Sequence, residues 1–324
     1  MAAAAGIPST HTQITAAFKQ QFHDSFEIAL QQKQSVFESL VTSRGQISGA
    51  SFTINDMGKI EMQSRAFGDR FSTTPLTLPE AGTRVAYMED FDLFVPIEPF
   101  DLPKLSAAPD SPYMQLMVAA ANRAKDKLIY RQLFADIMRR KETDVQPDGS
   151  GGIAASKGTY TATSMNNFIF AGKTAGTAGT LDKTALIKVR AEMMKKYADE
   201  EEIYVTYNDA MLQTILADTT LTSSDFMAVQ MLQSGELAGK WLGLNWVKYQ
   251  AMDAVGLDGK TGTGAYKSAI FTKSALHFGT GINYSTDVQT RADLRNIKQL
   301  SAQMSFGAGR ANEDKVMGLI FAAS

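Results

Sequence analysis

Cysteine is absent from this sequence, and its absence excludes several kinds of chemistry at once. The chain has 324 residues, no cysteine and only three histidines, His11, His23 and His277. Without thiols there can be no disulfide, iron–sulfur cluster, thiolate zinc site or cysteine nucleophile. No two histidines have the spacing of an HExxH motif or of another helical ligand pair. We therefore expect neither a metal site nor a cofactor.

Long hydrophobic runs and an excess of charge of one sign are missing as well. No stretch of about 18 apolar residues occurs, so no membrane-spanning helix is expected. The N-terminal segment MAAAAGIPST lacks the basic region and apolar core of a signal peptide. With 32 Lys and Arg against 34 Asp and Glu, the net charge is −2, which argues against a strongly basic nucleic-acid binder. These features favour a soluble protein that is made in a cytoplasm.

The motifs of phosphate binding and catalysis are incomplete. The tripeptide GKT occurs at residues 172–174 and 259–261. A phosphate loop needs a further glycine five residues before the glycine of GKT, where this chain has Asn167 and Ala254. No GxSxG elbow is present, and the acidic run at 199–202 lacks the spaced ligands of a calcium loop. We expect no catalytic residues and no enzymatic activity.

An aromatic stripe marks the first part of the chain. Phe18, Phe22 and Phe26 follow one another at intervals of four residues, and Leu30 continues the row. This spacing places the four side chains on one face of a helix. The stripe fits an amphipathic helix packed on its own domain, and it fits equally an arm that lies on a neighbouring subunit.

Residues 51–101 have β character on both sides of a polar centre. Residues 52–54 and 60–62 flank Asn55–Gly58, which is a hairpin signal. A run of β-compatible residues, RVAYMEDFDLFVPI, extends from Arg84 to Ile97 and would span about 46 Å as one strand. We predict a long projecting two-stranded hairpin, which needs another surface to lie on because isolated ribbons are marginally stable.

A long helix is predicted over residues 112–141. Ser111 fits the N-cap and Pro112 the first helical position. Neither glycine nor proline follows until after Lys141, so the helix would measure about 45 Å. The basic residues 139–141 suit a helix C-terminus.

Beyond the long helix the pattern alternates between helices and strands. Asp182 and Asn208 are predicted N-caps of two helices, 181–197 and 209–216. Strands are predicted at 203–206 and 245–249, which indicates a βαβ arrangement. Three further strands are expected in the last part of the chain, at 284–290, 294–305 and 316–321, with 307–310 as a turn.

These segments, in this order, resemble the major capsid proteins of tailed bacteriophages with the Hong Kong 97-type fold. FGDRFSTTPLTLP followed by RVAYMEDFDLFVPIEPFD resembles the tip and returning strand of that family's E-loop, and SPYMQLMVAAANRAKDKLIYRQLF resembles its spine helix. DEEEIYVTYNDAMLQ resembles the start of the strand and helix pattern of the axial domain, and SFGAGRANEDKVMGLIF resembles the closing strands of the peripheral domain. The resemblance covers nearly the whole chain from about residue 45.

The resemblance implies an α+β fold and a division of the chain. The expected parts are an N-terminal arm (1–50), the E-loop (51–101), a peripheral domain (102–181) with the spine helix (112–141), an α/β axial domain (182–283) and return strands of the peripheral domain (284–324).

The resemblance also implies self-assembly into hexamers and pentamers of an icosahedral shell that encloses double-stranded DNA without sequence specificity. The expected E-loop interface residues are Arg65, Asp69, Arg70, Pro75, Pro79 and Arg84, and the expected arm residues are Phe18, Phe22 and Phe26. Arg123, Lys127 and Arg131 of the spine helix are expected to face the lumen, or else to form a solvated face that pairs with Asp126 and Asp136.

Several partners follow from the same resemblance. The N-terminal region is short, so a separate scaffolding protein is expected, together with a portal protein and a decoration protein. Localisation in the virion, after assembly in the host cytoplasm, is expected. Lys59 receives no crosslinking role. Two alternatives stay open at this point: the shell of an encapsulin-like protein compartment, and an α/β metabolic enzyme without a recognisable motif.

Overall fold

The computed structural model describes residues 31–62, 64, 79–97, 110–142, 146–147, 153–154, 160–172, 177–217, 239–260 and 262–322. Within these ranges the helices are α1 (Asp110–Phe134), α2 (Lys183–Lys195) and α3 (Asp209–Ala217). The strands are β1 (Thr42–Gln46), β2 (Ser51–Met57), β3 (Ala81–Ile97), β4 (Ile137–Glu142), β5 (Gln146–Pro147), β6 (Ile153–Ala154), β7 (Thr161–Thr163), β8 (Phe168–Phe170), β9 (Ile203–Tyr207), β10 (Lys240–Trp241), β11 (Leu244–Lys248), β12 (Ala254–Val255), β13 (Ala265–Thr272), β14 (Leu276–Thr280), β15 (Ser285–Arg291), β16 (Ile297–Arg310) and β17 (Val316–Ala322).

The chain divides into two compact units. The larger unit consists of the described parts of Val36–Met88, Asp126–Gly281 and Phe306–Ser324. The smaller unit consists of the described parts of Met1–Ser35, Glu89–Lys125 and Ile282–Ser305. In the smaller unit β15 pairs antiparallel with β16, and Ile97, Met117, Leu300 and Ala302 form the core.

A seven-stranded sheet forms the centre of the larger unit. Its strand order is β10-β11-β9-β13-β17-β8, and β12 pairs with β13. β9 and β11 are parallel and α3 lies between them in the sequence, so the predicted βαβ arrangement is confirmed. Apolar side chains of α2 and α3 cluster with those of the sheet, and this burial is the main favourable term in folding.

The predicted starts of α2 and α3 are confirmed by their caps. Oδ1 of Asp182 accepts a hydrogen bond from the N–H of Ala185 at 2.8 Å, and Oδ1 of Asn208 accepts one from the N–H of Met211 at 3.0 Å. Each bond satisfies an amide that has no partner within its helix.

The long helix ends earlier than the sequence predicts. α1 stops at Phe134, and β4 follows it and pairs antiparallel with β3. The buried guanidinium of Arg310 donates to the carbonyl oxygens of Leu133, at 3.0 Å, and Ala135, at 2.8 Å. A cation at these last carbonyls ends the helix favourably, so the predicted boundary at Lys141 is wrong.

The predicted tight turn at Asn55–Gly58 is also wrong. β2 runs through Asn55 and Asp56 and pairs antiparallel with β3, from Ser51 opposite Tyr87 to Met57 opposite Ala81. The hairpin is therefore longer than the turn signal suggests, and most of its tip, residues 63 and 65–78, lies outside the described residues. Its root is not a two-stranded ribbon, because β4 occupies the other edge of β3.

The segment 307–310 is part of strand β16 and not a turn. A Cβ at Gly307 would lie 2.6 Å from the carbonyl oxygen of Tyr87, and one at Gly309 would lie 2.6 Å from Cβ of Ala86. These glycines allow close approach of two backbones, which is a common reason for glycine within a strand.

The final strand joins a sheet that crosses a predicted domain boundary. β17 pairs antiparallel with β13 and parallel with β8. The strands of the predicted axial domain therefore share one sheet with strands from before residue 182 and after residue 283. The division into arm, E-loop, peripheral and axial domains otherwise stays a prediction.

Candidate assembly surfaces

The root of the β2–β3 hairpin contains a buried cation between two carboxylates. Arg84 on β3 is 3% exposed, and its Nε lies 2.9 Å from Oδ2 of Asp56 on β2. Both terminal nitrogens of Arg84 donate to the carboxylate of Glu313, one of them at 2.8 Å. Because a buried charge needs paired partners, this guanidinium is bound within its own chain. The role of Arg84 at a subunit interface stays a prediction, and its donors are used within its own chain.

The ion pairs extend from Arg84 to the third strand of the root. Nε of Arg139 on β4 lies 2.8 Å from the same Oδ2 of Asp56, and its Nη1 lies 3.1 Å from Oε1 of Glu80. Nζ of Lys141 lies 3.1 Å from that Glu80 oxygen. Charged side chains thus join β2, β3 and β4 within the larger unit.

The pKa directions agree with a fully ionised pair. Burial opposes the charge on Arg84, but its bonds to Glu313 and Asp56 outweigh burial and raise its pKa. Burial would raise the pKa of Glu313, yet the bond and charge of Arg84 lower it overall. The hairpin root is therefore fixed by charge-assisted hydrogen bonds, which are stronger than neutral ones.

Most of the predicted interface residues lie outside the part of the chain that the structure describes. This holds for Arg65, Asp69, Arg70 and Pro75 of the hairpin tip and for Phe18, Phe22 and Phe26 of the arm. Pro79 is half-buried just before β3. The roles of these residues stay predictions.

The segment that follows the aromatic stripe is anchored to α1 by Asp126, which the sequence analysis considered only as a partner on a solvated face. Asp126 is buried and accepts hydrogen bonds from the N–H groups of Val36, at 2.9 Å, and Phe37, at 3.1 Å. The ring of Phe37 is buried 4.8 Å from that of Tyr249, between centroids. Phe37 and Val41 are thus core residues of the larger unit, although the sequence assigned them to the arm. The available signal was an aspartate three and four residues before apolar helix positions.

The basic residues of α1 lie on one exposed face. Arg123, Lys127 and Arg131 recur every four residues and are exposed. Arg123 also donates to the side-chain oxygen of Gln31. Asp126, proposed as a partner on a solvated face, is buried instead.

The acidic run 199–202 lies in a short 3₁₀ helix and the bend before β9, and one member has a structural role. Glu201 accepts hydrogen bonds from Oγ of Ser274 at 2.6 Å and from Nζ of Lys315. Burial would raise the pKa of Glu201, but these bonds lower it to about 2. Among the described residues no group of three or more Asp, Glu or His side chains is arranged to hold a metal ion.

The remaining polar motifs have local structural roles. Nδ1 of His277 accepts a hydrogen bond from Nε of Arg44 at 3.1 Å. Burial and the charge of Arg44 lower the pKa of His277 to about 4, so the imidazole is neutral at pH 7. The N–H of Lys260 bonds to Asp258 at 3.1 Å in a turn, as expected for an incomplete phosphate motif. No described helix is both long and apolar enough to cross a membrane.

A hairpin with a charged root, a 25-residue helix and a seven-stranded α/β sheet are the elements of a shell-forming protein of the Hong Kong 97 type. A family model described as phage capsid protein matches residues 14–322. The chain therefore belongs to the phage capsid protein family.

Solved capsid structures share the fold over nearly the whole chain. The capsid of Ralstonia phage GP4 has a TM-score of 0.67 and 11% identity, and the match covers 100% of this chain and 98% of that chain. The capsid of cyanophage P-SCSP1u has a TM-score of 0.64 and 17% identity, and the match covers 94% of this chain and 93% of that chain. The capsid of cyanophage Pam1 has a TM-score of 0.64 and 12% identity, with 99% of each chain covered. No curated protein sequence matches.

These findings confirm the resemblance and the α+β fold. The chain is a structural protein of the virion that assembles with copies of itself, as its family does. The family match favours neither the encapsulin-like compartment nor the metabolic enzyme.

Proposed function

We propose that this chain is the major capsid subunit whose hexamers and pentamers form an icosahedral shell around double-stranded phage DNA. The observation that carries this proposal is the phage capsid family match over residues 14–322. The subunit carries out no catalysis, and its work is to form repeated contacts between copies.

The E-loop lies across a neighbouring subunit in this proposal, and Arg65, Asp69, Arg70, Pro75 and Pro79 form its contact. The hairpin root supports this role. Its ion pairs fix the direction in which the loop leaves the subunit. Just beyond the root three apolar side chains, those of Met57, Ile60 and Met62, are largely exposed, and exposed apolar clusters commonly mark protein interfaces.

The exposed basic stripe of α1 faces the packaged DNA in the assembled shell. Three cations per subunit, at Arg123, Lys127 and Arg131, attract phosphates without reading sequence. A net charge of −2 keeps this attraction weak enough for DNA to enter and leave. Replacing all three by glutamine is expected to reduce the DNA content of the shells without preventing their assembly.

Other components complete the particle. A separate scaffolding protein directs assembly in the host cytoplasm, a portal protein occupies one vertex, and a decoration protein binds the outer surface. The aromatic stripe of Phe18, Phe22 and Phe26 lies on a neighbouring subunit in this arrangement.

Electron microscopy and light scattering test the proposal. The full chain, expressed with the neighbouring phage head genes, is expected to form closed shells of hundreds of subunits. The double change Pro75→Gly and Pro79→Gly should leave the subunit folded and prevent shell formation. Lys248→Glu, a change of an exposed side chain on β11, should leave shell formation unaffected. A particle of one subunit alone, under the same co-expression, would contradict the proposal.

A further inference from the structure

The second half of β3 exposes one face of unusual composition. Even-numbered positions of β3 are buried at 82, 84 and 86, but they are exposed from residue 90 to residue 96. The exposed positions hold Asp90, Asp92, Phe94 and Pro96, and Phe94 is 46% exposed. Neither aspartate forms a side-chain hydrogen bond or ion pair with any described residue. We call Asp90–Phe94 the acidic face.

The exposed side of α2 has the opposite charge and a similar apolar content. Lys183 and Lys188 have no ion-pair partner among the described residues. Ile187 lies between the two lysines in the sequence and is 50% exposed, and Met194 follows them and is 51% exposed. The other side of α2 packs in the core. We call this set of four side chains the lysine face.

The two faces match in length as well as in charge. Lys183 to Met194 spans about 16 Å along a helix, and Asp90 to Phe94 spans about 13 Å along a strand, so the two faces are of comparable length. Each face combines charges that lack an ion-pair partner among the described residues with exposed large apolar side chains, the composition that marks a protein interface. Complementary charges of this kind select a partner and set its register.

We propose that the acidic face of one subunit docks on the lysine face of a second copy of this chain. Asp90 and Asp92 pair with Lys183 and Lys188, and Phe94 packs against Ile187 and Met194. Two different surfaces of the same chain then meet head to tail, and such contacts close into a ring when the rotation between successive copies closes. The inference rests on the proposed function, and it assigns the residues that join neighbours within a hexamer or pentamer.

Crosslinking tests the contact directly, because the chain has no cysteine of its own. The variant with Asp92→Cys and Lys188→Cys is assembled into shells and treated with a short bis-maleimide. A ladder of linked subunits on a denaturing gel is expected from this variant, and none from either single variant. Asp92→Cys combined with Lys248→Cys is the matched control and should also give none. Intact shells without a ladder would overturn the inference and leave the proposed function standing.

Exchange of charge tests the same pairing by function. Asp90→Lys with Asp92→Lys, and separately Lys183→Glu with Lys188→Glu, should each lower the yield of shells at least about tenfold, because like charges then meet. The variant with all four changes should recover most of the yield of shells. The control Lys248→Glu with Lys260→Glu changes the net charge as much as Lys183→Glu with Lys188→Glu does, but at other sites, and should not change the yield. Failure of the fourfold variant to recover, with an unchanged melting temperature, would overturn the pairing. Absence of shells from the wild-type chain would instead refute the proposed function and this inference with it.

Discussion

Buried charged groups of this subunit are paired within the subunit itself. Arg84, Asp126 and Arg310 are all buried. Transfer of a charge out of water is costly unless hydrogen bonds replace the lost solvent. Arg84 has two carboxylates, Asp126 has two backbone amides, and Arg310 has backbone carbonyls. Loss of any one partner leaves a charge that water cannot easily reach.

Arg84→Leu should destabilise the subunit strongly. The change leaves the carboxylates of Asp56 and Glu313 without their cation, and breaking a buried pair from one side costs several kcal/mol. We expect a loss of about 3 kcal/mol, at the lower end of that range, because these side chains keep 15% and 23% exposure. Urea unfolding of the wild type and the variant measures this loss as the difference in their free energies of unfolding.

Arg291→Leu is the control for Arg84→Leu. Arg291 also pairs with a carboxylate, that of Asp293, but both side chains are largely exposed. Exposed pairs contribute little to stability, so the unfolding midpoint should not move. Equal losses in the two variants would show that the hairpin root is not a buried ionic site.

His277 should make the subunit less stable in mild acid. Its ordinary pKa is 6.5 and its pKa in the folded chain is about 4. Between these values the unfolded chain binds one proton more than the folded chain, so stability falls as pH drops from 6.5 towards 4. The unfolding midpoint of the wild type should fall over this range. It should fall less in His277→Gln, whose amide oxygen can still accept from Arg44, and equal slopes would contradict the assignment.

Single residues were predictable from the sequence only where their partners were near in the chain. The caps Asp182 and Asn208 bond to amides three residues away, so the local pattern contained both partners. Arg84 was placed in a strand and among the expected interface residues, but its partner Glu313 lies 229 residues further on. The local pattern therefore carried no sign that this guanidinium is buried and paired within its own chain.

At the scale of elements, the strands and helices were found but their ends were not. The end of α1 depends on Arg310, which lies 177 residues after Leu133. Residues 137–142 contain no helix breaker, and β4 exists because the free edge of β3 is available to it. Local propensity is a weak prior that such tertiary contacts override.

Arg310→Leu should loosen the end of α1. The carbonyls of Leu133, Ala135 and Thr163 would lose their donor. We expect a loss of about 3 kcal/mol or more in unfolding free energy, as for other buried cations removed from their partners. Amides of the last turn of α1 and of β4 should exchange hydrogen faster. Arg310→Lys keeps the charge but has fewer donors, so its exchange rates should lie between those of the wild type and those of Arg310→Leu. Unchanged exchange in both variants would show that Arg310 does not end the helix.

At the scale of the whole molecule, the order of segments was more informative than any one motif. No short motif in this chain is diagnostic, yet the succession of hairpin, long helix, α/β segment and closing strands indicated the fold that the family match confirms. The sheet that joins β8, β13 and β17 could not be predicted from the sequence, since pairings between strands distant in the chain have no local sequence pattern. The proposed contact between copies also has no local sequence pattern, because the exposure of Phe94, Ile187 and Met194 depends on how the chain folds.

Two N-terminal truncations should separate assembly from folding. Deletion of residues 1–30 removes the aromatic stripe but keeps Phe37 and Val41, which are buried in the larger unit. This variant should fold with an unchanged melting temperature and assemble poorly, if the stripe lies on a neighbour.

Deletion of residues 1–42 also removes the partners of Asp126 and the ring of Phe37, and loss of that ring alone should cost about 3–5 kcal/mol. Equal melting temperatures for the two variants would contradict the assignment of residues 36–41 to the core. A normal yield of shells from the shorter deletion would show instead that the stripe has no part in assembly.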